Sequence, residues 1–73
     1  MSKDNWVNEL SVGKTNEIVN NPYTGASEEL KPLEVAVYDY IKGCEACGIY
    51  NEMQKGLDWF RKSNPNAYMA LLD

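Results

Sequence analysis

The chain contains no histidine and only two cysteines, Cys44 and Cys47. It therefore lacks the side chain that most readily moves protons near neutral pH, which is also the commonest metal ligand. Two cysteines so close together cannot staple a fold, and in a reducing cytosol they are expected to be free thiols. Basic charge is in deficit: 7 lysines and arginines face 11 aspartates and glutamates, for a formal net charge of -4. That balance argues against nonspecific attraction to nucleic acid or to an anionic membrane. No stretch approaches the roughly 20 apolar residues of a membrane span. The opening MSKDNWVNEL lacks the apolar core of a signal peptide, so a cytoplasmic location is expected. A phosphate-binding loop is missing as well. Gly13-Lys14-Thr15 copies its end, but Asn8 stands where the motif needs its earlier glycine, so the segment reads as a turn.

What remains is 73 residues of ordinary hydrophobic content, 44%, enough for one small globular domain. A chain of this length buries only about 60% of its unfolded surface, so its stability is expected to be marginal, roughly 3–5 kcal/mol. Residues 1–26 form a polar, asparagine-rich N-terminal arm. Trp6, Val7 and Leu10 suit one face of a short helix. A hairpin is the competing reading, with VNELSV and EIVN joined by a GKTN turn. Asn21-Pro22-Tyr23-Thr24 followed by Gly25 is a turn signature, and it is taken as the boundary before a helical domain at residues 27–73.

Three helices are predicted there. The first, residues 32–47, opens at Pro32 with Glu34 in its first turn and stops at Gly48. Its apolar stripe is Leu33, Ala36, Val37, Tyr40, Ile41, Cys44 and Cys47. Ile49 is placed to close a Schellman ending on Cys44. The second, residues 51–62, has Asn51 as its cap, Gln54 completing a capping box, and Met53, Leu57 and Phe60 facing inward. The third, residues 65–72, follows Asn64-Pro65 and turns Tyr68, Leu71 and Leu72 inward. The short connections favour an all-α bundle, with the arm adding a short helix or hairpin.

No residue set completes a catalytic or metal site, and no cofactor is expected. Cys44-Glu45-Ala46-Cys47 has redox spacing, but it lies near a helix C-terminus, where the dipole opposes thiolate. A zinc site needs four ligands, which only two copies of the chain could supply. The adopted reading is that both cysteines pack in the core. The carboxylates Glu34, Asp39, Glu45, Glu52 and Asp58 are interrupted by Lys42, Lys55, Arg61 and Lys62, which suits a solvated face better than acid–base pairs or DNA mimicry.

The aromatics are in excess. Tyr40 and Phe60 fall on inner stripes, whereas Val35, Tyr38 and Trp59 do not fall cleanly on them. Off-stripe aromatics are candidate binding anchors, and the competing reading is a three-sided core in which the first helix is buried on two faces, covered by the N-terminal arm. Partner binding is therefore assigned to Tyr38, Trp59 and Val35, with Glu34 and Asp39 as an acidic rim that speeds encounter with a basic surface.

The segments NPYTGASEELKPLEVAVYDYIKG and GLDWFRKSNPNAYMALLD resemble short uncharacterised proteins of tailed bacteriophages. The resemblance covers the chain from Asn21 onward and rests on structural punctuation and core residues. It implies a small protein that binds and redirects a bacterial host protein, in the host cytoplasm. The functional expectation is a non-enzymatic protein-interaction module, a phage-type inhibitor or modulator of a host protein such as a nucleic-acid-processing enzyme. Self-association as a structural or accessory homodimer is the second reading. A thiol redox or intersubunit metal protein is the third.

Overall fold

The computed structural model describes residues 6, 7, 10 and 12–72. The element order is β1 (Glu17–Asn20), β2 (Ser27–Leu30), α1 (Pro32–Cys47), α2 (Tyr50–Ser63) and α3 (Pro65–Leu71). The three helices fall where the sequence places them, but the fold is not all-α: β1 and β2 form a two-stranded antiparallel hairpin. EIVN is a strand, as the hairpin reading has it, but it pairs forward with SEEL. The expected partner VNELSV lies partly outside the described residues. The pairing also crosses the boundary drawn after residue 26. Low strand propensity hid β2, since serine and glutamate rarely favour strands. Leu30 overrides that preference, because it is fully buried among the helices.

Local chemistry explains the helix ends. Pro32 opens α1, and the Glu34 carboxylate accepts the Lys31 backbone N–H at 2.9 Å. This is half of a capping box, because lysine offers no oxygen for the return bond. Gly48 ends α1 at φ 73°, and the Ile49 N–H donates to the Cys44 carbonyl at 2.9 Å. That ending shifts the start of α2. The Ile49 carbonyl already accepts the Met53 N–H, so Ile49 is the cap, and the expected Asn51–Gln54 box does not form. Gln54 donates to Asp58 at 3.2 Å instead. Asn64 caps α3 as expected, its side chain accepting from the Ala67 N–H at 3.2 Å.

The core joins Val7, Leu30, Val37, Ile41, Phe60, Ala67 and Leu71. Gly56 sets the closeness of α1 and α2: a Cβ there would stand 2.6 Å from Ile41 Cγ1. Cys44 is buried, but Cys47 is exposed, contrary to the expected stripe. Cys44 is the last residue of α1 to be buried, and Glu45, Ala46 and Cys47 after it are all exposed. Among the described residues no helix is long and apolar enough to cross a membrane.

Candidate interaction surface

Two flanks of α2 are built differently. On one, Glu52, Lys55 and Trp59 lie at helical spacing. Trp6 stacks on Tyr40 with ring centroids 5.1 Å apart, and Lys55 Nζ lies 5.1 Å from the Trp6 ring centre. Tyr40 donates its hydroxyl hydrogen to Glu52 at 2.7 Å, and Lys55 pairs with the same carboxylate at 2.8 Å. Burial, and then the bond to Glu52, push the Tyr40 phenol above its ordinary range. The Lys55 contact, and then the Tyr40 bond, pull the Glu52 carboxyl below its usual value. The Trp6 indole N–H is buried and meets no acceptor among the described residues. This corner ties Trp6 to α1 and α2.

The other flank carries Tyr50, Met53 and Leu57, which share a helix face at i, i+3 and i+7. Met53 and Leu57 line a groove of about 250 Å³, with Ile41 of α1, Leu71 of α3 and the hairpin turn at Pro22 and Tyr23 closing it. Lys42 and Glu45 also line it and pair with each other at 3.9 Å. The turn beside the groove is held in place. The Asn21 side-chain amide donates to the Ala70 carbonyl at 3.0 Å, and its oxygen accepts the Tyr23 N–H at 2.9 Å. Asn21 also accepts the Gly25 N–H on its carbonyl, and Gly25 takes φ 78°. A left-handed residue closing a four-residue hairpin loop suits glycine. On this fixed turn Tyr23 is 92% exposed. Ile18, on the outward face of the same hairpin, is 70% exposed, and Met69 and Tyr50 are also solvent-facing.

The residues singled out from sequence also make contacts within the fold. Tyr38, Trp59 and Val35 are half-buried and pack against the core. Trp59 meets Phe60 edge-on at 6.2 Å, and Lys42 lies over the Tyr38 ring. Glu34 caps α1 and accepts the Asn64 side-chain amide at 3.3 Å, linking α1 to the start of α3. Asp39 is exposed on α1. Of the five, it alone is exposed rather than half-buried. The most exposed aromatic among the described residues is Tyr23, and its signal was present: it is the third residue of an Asn-Pro-Tyr-Thr turn.

Among the described residues, no three histidine, cysteine, aspartate or glutamate side chains are grouped to hold a metal ion. The described residues present an exposed aromatic, a strand edge without a further strand partner, and a groove. Comparison with protein-family models, with curated proteins and with solved structures finds no match for this chain.

Proposed function

We propose that this chain is a non-enzymatic protein-interaction module that binds a bacterial host protein through its hairpin. The reading is carried by one observation: Tyr23 is almost fully exposed on a turn that Asn21 fastens to α3. An anchor already held in its presented geometry loses little entropy on binding. Tyrosine also buries a large area with few rotatable bonds, as binding hot spots do. The negative net charge favours a partner with a basic surface, such as a nucleic-acid-processing enzyme, by steering encounter. The bacterial host follows from the resemblance to short phage proteins.

The test is paired capture from bacterial lysate with the tagged protein and its Tyr23→Ala variant. A specific protein retained by the first and lost by the second, with both folded by circular dichroism, supports the reading. Identical capture by both removes its main support. Light scattering addresses self-association, because a stable dimer would turn the exposed apolar residues into a contact between copies.

A further inference from the structure

Each strand of the hairpin has an outer edge with no strand partner among the described residues, and that of β2 lies toward α3 and α1. The Asn21 N–H bonds across to the Ala26 carbonyl, so Asn21 faces β2. Alternation along an antiparallel ladder then turns Val19 and Glu17 toward β2, and it turns the backbone N–H and C=O of Ile18 and Asn20 away from it. β2 is the sole strand partner of β1 among the described residues. Of the devices that ordinarily blunt such an edge, β1 has shortness and the charge of Glu17, but no lysine, proline or bulge. Its outward side chain is isoleucine. Three glutamates surround it: Glu17 on β1, and Glu28 and Glu29 on β2, opposite Val19 and Ile18. None joins a salt bridge among the described residues, where the three ion pairs all lie on the helices.

We propose that the free edge of β1 takes up an extended basic segment of the partner as a third strand. This deepens the interaction reading and rests on it. The backbone of Ile18 and Asn20 supplies main-chain hydrogen bonds, the mode by which exposed sheet edges bind peptides. Ile18 covers an apolar residue opposite it, and the flanking lysines or arginines project to the opposite face, which they share with Glu17 and Glu28. A second copy of this chain fits less well. Pairing Ile18 with its own counterpart would bring the two Glu17 side chains into diagonal positions and double the unneutralised acid.

The probe is a ten-residue synthetic peptide alternating lysine and valine, titrated into the full-length protein and followed by amide NMR. Binding should shift the Ile18 and Asn20 amides and slow their hydrogen exchange at least tenfold. Val19, already bonded to β2, should change little. Methylating two consecutive central amide nitrogens blocks both edges of the peptide and should weaken binding at least tenfold, with the protein untouched. Ile18→Pro should do the same, because its nitrogen points away from β2. The double variant Glu17→Lys, Glu28→Lys should weaken binding at least fivefold, and so should high salt. Equal binding of the methylated peptide overturns strand addition, as does protection that maps to the groove. Dimerisation abolished by Ile18→Pro overturns it in favour of a second copy. If the peptide fails while Tyr23-dependent capture persists, strand addition falls and the interaction reading stands. If both fail, both fall.

Discussion

Trp6 with Tyr40 and Tyr23 with Ile18 are two ways of using apolar side chains in one small protein. At the N-terminal corner every large group meets another: ring on ring, hydroxyl on carboxylate, ammonium over indole. On the hairpin the backbone is equally constrained, yet the side chains meet water. Folding has used the apolar surface of the corner and left that of the hairpin. The exposed anchors sit where the main chain holds its shape through hydrogen bonds, so their display does not depend on their own packing.

The sharpest way to break this contrast is Tyr40→Ala. It removes the Trp6 stack and leaves Glu52 without its hydroxyl donor, and it should cost about 3 kcal/mol. In a domain expected to hold only roughly 3–5 kcal/mol, urea unfolding should find most of its stability gone. An unchanged midpoint would mean that the corner is decoration. Gly56→Ala comes next. The added methyl meets Ile41, so α1 and α2 must separate, at a cost of about 1–3 kcal/mol, against which a helix-propensity gain of about 1 kcal/mol is smaller or equal. Tyr38→Ala and Trp59→Ala test the assignment made from sequence. Because both rings pack on the core, thermal melts should show lost stability along with any lost binding.

Asn21→Ala should cost about 1–2 kcal/mol, since it frees the Ala70 carbonyl and unties the turn. It should also weaken partner capture with Tyr23 still present, and a variant that binds normally would show that the fixed turn is unimportant. Glu52→Gln addresses pH. The Glu52 carboxyl titrates below the ordinary 4.5, so its contribution is present above that value and is lost as pH falls through the lowered one. The variant's acid unfolding limb should be flatter there. The Tyr40 phenol is shifted the other way, so its contribution holds below pH 10.0 and fades as pH rises beyond it. The smallest effect belongs to Tyr23→Ala, whose stability should change by less than about 0.5 kcal/mol while binding is lost. A large destabilisation would erase the distinction between the two regions.

Local punctuation made the helices readable. Pro32, the Gly48 ending and Asn64-Pro65 act through φ preferences and bonds to near neighbours, so no knowledge of the fold is required. The start of α2 was misplaced because Ile49 serves two helices at once. The NPYTG turn was legible, but its role was not. It reads as a boundary until Leu30 is seen buried and Asn21 bonded to Ala70, a contact spanning most of the chain.

The sequence by itself determined that this is a small acidic domain with three helices of nearly these lengths, because composition and capping are local properties. Tertiary structure alone decided that β1 pairs with β2, that Cys47 faces solvent while Cys44 does not, and that Tyr38 and Trp59 are half-covered while Tyr23 stands free. Burial is a relation between distant segments. A helical stripe specifies which side chains share a face, and only the packed neighbours specify where that face ends.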